Sequence, residues 1–103
     1  MQKLIQIDHV NFVLGGHCSS ETLAIAPLAE RNKVLMLASI TTSSDVTNAG
    51  DYVFRISPSN LEGARIISDY MYRVAGVKKL AVLSEETEYA LSIARGMEKN
   101  FRS

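Results

Sequence analysis

The residues able to do chemistry gather in three short stretches. In "GGHCSSETLAIAP", residues 15–27, two glycines lead to His17, then Cys18, the only cysteine, then Ser19 and Ser20. A thiol beside an imidazole at a helix mouth is the arrangement of a thiolate nucleophile. Hydroxyls above free backbone N–H groups are the arrangement of an anion site, or simply of a helix cap. "ASITTSSDVT", residues 38–47, carries six hydroxyl side chains in ten residues and no positive charge. Its neutral hydrogen bonds suit a small zwitterion or polar solute; the plain alternative is a solvated loop in which Asp45 caps a short turn. "SEETEY", residues 84–89, sets Glu85, Glu86 and Glu88 before Tyr89. Acidic residues favour a helix start through its dipole, whereas Tyr89 can pack on its own helix or lean over a ligand.

The thiol reading is the weaker one. "HC" resembles the loop of the cysteine phosphatases, in which an arginine six residues after the cysteine clamps the phosphoryl oxygens; Ala24 stands there. Neighbours at a strand end point in opposite directions, and a free cysteine is most often a small buried hydrophobe, so Cys18 is read as structural and His17 as a pocket-rim residue. No catalytic residue is assigned. One cysteine without a close histidine pair gives no metal-ligand spacing. Neither G-x-x-x-x-G-K-[ST] nor G-x-G-x-x-G occurs, so no nucleotide cofactor is expected. Eleven basic residues balance eleven acidic ones, which argues against nucleic acid or an anionic membrane surface as a partner. No apolar run approaches the roughly 20 residues of a membrane span, and the opening residues lack a signal-peptide core.

The elements positioning these stretches follow from periodicity. Asn11–Leu14, Lys33–Ser39 and Lys79–Ser84 are short, apolar on both alternating faces and followed by small polar residues, as strands buried on both sides of a parallel sheet are. Helical spacing covers Glu21–Asn32, where Pro27 should kink or restart the helix; Leu61–Val74, with Ser59 and Glu62 at capping-box spacing and an apolar stripe of Ile66, Ile67, Tyr70, Met71 and Val74; and about Glu88–Phe101. Gln2–Ile7 reads as a helix tail, and Tyr52–Phe54 as a short extended piece in a polar loop. Strand and helix alternate, which predicts a single α/β domain: a doubly wound, flavodoxin-like parallel sheet. Such sheets bind ligands beyond the carboxyl ends of their strands, where all three chemistry-bearing stretches fall.

Together, "FVLGGHCSSETLAIAPLAERNKVLMLASITTSSDVTNAGDYVFRISPSNLEGA" and "KKLAVLSEETEYALSIARGM" resemble the first lobe of the type I periplasmic solute-binding proteins of ABC transporters, in the branched-chain amino acid (Leu/Ile/Val) family. The resemblance implies a non-enzymatic lobe, with residues 1–103 an interior part of it, and periplasmic or cell-surface work beside a membrane permease. It implies an amino-acid ligand held by Ser19, by Ile40, Thr41 and Thr42, and by Tyr89, with the backbone of His17 and Cys18 lining the same cleft. Ile40 is larger than the family's small residues and would narrow the pocket if turned inward. A second lobe would supply the rest of the site. Similar lobes also serve as sensors and receptors. Without preceding strands, Asn11–Leu14 would be a sheet edge open to pairing with another copy, so a homo-oligomer and a purely self-associating module are further expectations.

Overall fold

The computed structural model describes residues 1–102. Its elements are helix α1 (Gln2–Gln6), strand β1 (Phe12–Leu14), helix α2 (Ser19–Asn32), strand β2 (Leu35–Ala38), a 3-10 turn (Ser44–Asn48), strand β3 (Val53–Arg55), helix α3 (Asn60–Asp69) continuing as a π-helical turn (Tyr70–Val74), and helix α4 (Glu88–Arg102). The three strands are parallel in the order β1-β2-β3, with Leu14 opposite Leu37 and Leu37 opposite Phe54. The parallel α/β class is as expected, and β1 is an edge strand. Within these residues the chain crosses the sheet in one direction only.

Alternation decides which face is covered. Val13, Met36, Ala38 and Val53 point to one side and are buried with Ala26 and Ala29 of α2 and with Val46 of the 3-10 turn. On the other side Phe12, Leu14, Leu35, Phe54 and Ile56 are exposed, Leu14 at 72% and Ile56 at 74%. Strands of a parallel sheet are ordinarily buried on both faces, so this sheet is half covered.

Two expectations change. Lys79–Ser84 forms no strand and pairs with no strand among the described residues, and the third strand is instead Val53–Arg55, within the supposed loop piece. Apolar content reports how a strand is best buried and says nothing of whether a neighbouring strand is present to accept it. Pro27 does not divide α2, which runs unbroken across it; the helix is held by its buried face, Thr22, Ala26 and Ala29, packed on the sheet.

The apolar stripe of the third helical stretch is also not its packed face. Ile66, Ile67, Tyr70 and Val74 are exposed, while the small residues Ala64 and Ser68 are buried, Ala64 against Gly96 of α4. A Cβ on Gly96 would stand 2.9 Å from that of Ala64, so the helices meet nearly backbone to backbone. Ser59 caps α3 as expected, its hydroxyl accepting from the Leu61 N–H, but Glu62 turns away to Arg65. The radius of gyration is 16.6 Å, against about 13 Å for a compact domain of this length, and the molecule measures 56 × 21 × 17 Å. It is elongated because the sheet with α2 and the α3–α4 pair are two packing units placed end to end.

Candidate functional site

The loop after β1 is shaped by Gly16. Its φ is +82°, and a Cβ there would lie 2.2 Å from Thr22 Oγ1 and 3.2 Å from Met36 Cε, so no side chain fits. The close approach lets α2 begin at Ser19 directly beyond the strand end. Thr22, fully buried, donates its hydroxyl to the Cys18 carbonyl at 3.0 Å. Glu21 reaches back, its Oε2 accepting from the backbone N–H of His17 at 3.0 Å and of Cys18 at 3.4 Å. The N–H groups of Ser19 and Ser20, in the first helical turn, have no carbonyl partner within the helix.

Ser19 is buried, and its hydroxyl accepts from the Ser43 N–H at 3.2 Å, which ties the first loop to the second. The second loop is braced from beneath by Arg55, at the end of β3. Its Nη1 donates to the Ser43 carbonyl at 2.6 Å and the Thr41 carbonyl at 3.4 Å, and its Nη2 to Thr47 Oγ1 at 2.6 Å. Burial lowers the Arg55 pKa from its ordinary value. Its partners are neutral oxygens, so it shapes the loop without presenting its charge to a ligand. Ser57 donates to the Ser39 carbonyl and adds a second brace. Ser43, rather than Asp45, caps the 3-10 turn, its hydroxyl accepting from the Asp45 N–H.

Two hydroxyls in this braced loop remain without a partner. Thr41 is wholly buried and Thr42 half-buried, and the Oγ1 atom of each is inaccessible and makes no hydrogen bond. Ile40, by contrast, turns outward and is exposed, so it does not narrow the loop. Cys18 is exposed rather than a buried hydrophobe, because the residue that turns inward at the helix start is Ser19. His17 is exposed.

Tyr89 lies in the first turn of α4 and is half exposed. It joins the rest through Asn60, whose backbone N–H donates to the Thr42 carbonyl at 2.8 Å while its Nδ2 donates to Ser92 Oγ at 3.0 Å and to the Tyr89 carbonyl at 3.4 Å. The structure thus brings Ser19, Thr41 and Thr42 into one hydrogen-bonded unit and links Tyr89 by a single bridge. Arg55 and Asn60, both structural to the site, escaped the sequence reading; an arginine closing a short apolar strand was the available signal for the first. The site is an open shelf at the strand ends. Hollows of about 450 and 470 Å³ lie elsewhere, beside α4, and include none of these residues. Among the described residues no group of three or more His, Cys, Asp or Glu could hold a metal ion, and no helix is long and apolar enough to cross a membrane.

A parallel α/β lobe whose polar loops converge past the carboxyl ends of its strands defines a class: a ligand-binding lobe of the strand-end type. The periplasmic binding protein family matches residues 1–103, and the chain belongs to that family, a family of solute-binding proteins rather than an enzyme class. It is similar to the leucine-, isoleucine-, valine-, threonine- and alanine-binding protein of Pseudomonas aeruginosa, 31% identical over 94 residues that make up 89% of this chain and 25% of the relative. It is also similar to the Leu/Ile/Val-binding protein of Citrobacter freundii, 23% identical over 92% of this chain and 26% of the relative. Among solved structures, a leucine binding protein from Thermotoga maritima superposes with a TM-score of 0.88 at 27% identity, over 97% of this chain and 29% of that one. A solute binding protein of an ABC transporter from Rhodopseudomonas palustris, in complex with 3,4-dihydroxybenzoic acid, gives 0.87 at 29% identity, over 98% and 28%. The chain therefore spans about a quarter of the length of the curated relatives it matches.

Proposed function

We propose that this chain provides one side of an amino-acid-binding site in the solute-binding component of an ABC importer, acting in the periplasm or at the cell surface beside a membrane permease. The observation that carries the reading is the pair of unpartnered hydroxyls, Thr41 Oγ1 and Thr42 Oγ1, held in a loop whose carbonyls are already satisfied by Arg55 and Asn60. A buried polar atom left without a partner costs free energy on the order of 1–3 kcal/mol, and a ligand that supplies the partner recovers it. In this reading the N–H groups of Ser19 and Ser20, at the positive end of α2, receive the α-carboxylate. The two threonine hydroxyls, covered in the unliganded chain, turn outward to receive the α-ammonium, and Tyr89 closes over the ligand from the α4 side. The backbone of His17 and Cys18 borders the site, but their N–H groups are taken by Glu21, so they contribute shape. The exposed Ile40 is left to contact whatever covers the shelf.

The names of the relatives favour a branched-chain amino acid, and the neighbour bound to 3,4-dihydroxybenzoic acid makes aromatic acids the competing class. Both carry the carboxylate; only the first carries an ammonium. Calorimetry with leucine, isoleucine, valine and 3,4-dihydroxybenzoate separates them. Binding of the amino acids, weak because one side of the site is open, should be lost in Thr41→Val. Heat from the aromatic acid alone would move the reading to that class, and no heat from any ligand, or an undiminished signal in the variant, would overturn it.

A second reading is favoured by the bare sheet face and the β1 edge: association of copies through Phe12, Leu14, Leu35, Phe54 and Ile56. Replacing Phe54 by Ser should then lower the apparent mass in light scattering while leaving ligand heats unchanged.

A further inference from the structure

Asn60 stands where the two halves of the candidate site meet. It is the first residue of α3, directly after the cap Ser59, and is half-buried. Its backbone N–H donates to the Thr42 carbonyl at 2.8 Å on the shelf side, while its side-chain amide crosses to α4 and donates to Ser92 Oγ at 3.0 Å and to the Tyr89 carbonyl at 3.4 Å. Ser92 is buried and donates its own hydroxyl to that same Tyr89 carbonyl at 2.9 Å. A hydroxyl has one hydrogen, so a Ser92 that donates to Tyr89 can only accept from residue 60. The network therefore requires a donor at position 60, which sets the amide with its nitrogen toward α4.

The first turn of a helix ordinarily favours a carboxylate, through its unpaired N–H groups and its dipole. An aspartate at position 60 would serve α3 at least as well as asparagine and would keep the backbone bond to Thr42. It could not donate to Ser92 or Tyr89. The Ser92 hydroxyl would turn to donate to the new carboxylate, and the Tyr89 carbonyl would lose both of its side-chain donors. Asparagine is thus the residue that α4 needs, carried on a helix that would accept either. Through it the chain at Tyr89, which on the amino-acid reading closes over the ligand, is held in fixed relation to Thr42, whose hydroxyl receives the ligand.

We propose, resting on the amino-acid reading of the site, that Asn60 is a positioning residue for ligand binding: its amide sets Tyr89 over the shelf and so governs affinity without touching the ligand. Leucine calorimetry and hydrogen exchange on the 103-residue chain test this, with Asn60→Asp and Asn60→Ala each made alone and together with Tyr89→Ala. Asn60→Asp should leave denaturant unfolding and exchange at residues 39–43 unchanged, accelerate exchange at residues 87–91, and weaken leucine binding about fivefold, as loss of one neutral hydrogen bond does. Asn60→Ala should weaken it to the same extent, which separates loss of the donor from the charge of the aspartate. In the Tyr89→Ala background neither substitution should weaken binding further, because the group they position is gone. A loss of the same size with and without Tyr89 overturns the proposal, as does leucine binding, or exchange at 87–91, that Asn60→Asp leaves unchanged. No leucine binding by the wild-type chain would instead overturn the amino-acid reading, and the proposal with it.

Discussion

The loops at the ends of β1 and β2 and the loop leading into α4 differ in how they are held. In the first region Ser19 binds Ser43, Arg55 holds the carbonyls of Thr41 and Ser43, and Gly16 lets the strand end lie against Thr22, so position is set by several buried contacts at once. In the second, residues 78–86 have no ladder among the described residues, and Asn60 bridges Tyr89 to the shelf. One half of the candidate site is preorganised by its own scaffold, and the other rides on the α3–α4 pair. A site divided this way can close on a ligand by moving one unit while the Arg55 and Ser19 bonds of the other stay in place, with the Asn60 N–H to Thr42 carbonyl bond as a link about which the units turn.

The contrast can be broken most forcefully at Gly16. Gly16→Ala forces an unfavourable φ and drives a methyl group into Thr22 Oγ1, so it should cost about 3 kcal/mol in denaturant unfolding and abolish ligand heats. Arg55→Leu should cost about 2 kcal/mol by orphaning the loop carbonyls, and Arg55→Lys should recover only part of this, because an ammonium cannot reproduce the guanidinium fork.

On the other side of the comparison, Gly96→Ala should cost about 1–2 kcal/mol, the gain in helix propensity offsetting part of the clash with Ala64. Hydrogen exchange should accelerate in α3 and α4 while β1 and β2 keep their protection. Asn60→Ala, which removes the side-chain bonds to Ser92 and Tyr89, should cost about 1 kcal/mol or less but raise exchange at residues 87–91. The smallest effect belongs to Glu62, whose carboxyl is held below its ordinary 4.5 by the hydrogen bond and then the charge of Arg65. Its folded-state pKa is depressed, so its contribution is present at neutral pH and lost as the pH falls through that lowered value. The pair is exposed, so Glu62→Gln should slightly flatten the acid side of the stability curve and change nothing at the shelf.

The convergence of the candidate loops was legible because strand-end geometry is local: Leu14, then glycines, then Ser19, and Ala38, then Thr41 and Thr42, require only a strand and the turn after it. The bracing was not, since Arg55 reaches Ser43 across twelve residues and Asn60 reaches Ser92 across thirty-two, distances over which periodicity carries no information. Lys79–Ser84 shows the same limit from the other side. Its composition is that of a buried strand, but its pairing depends on a neighbour that the local sequence does not encode. The exposed stripe of α3 repeats the lesson: an apolar face states a preference, and Ala64 with Gly96 decided the contact by permitting close approach.

The central claim is that the shelf formed by Ser19 and Thr41–Ser43 is the binding half and that its backbone is set before ligand arrives. Amide chemical shifts followed during a leucine titration test it most directly. The account predicts saturable shifts confined to residues 17–20 and 39–43, with Tyr89 responding later and residues in the middle of α3 unmoved. Shifts centred on α4, or none at the shelf at millimolar leucine, would contradict it.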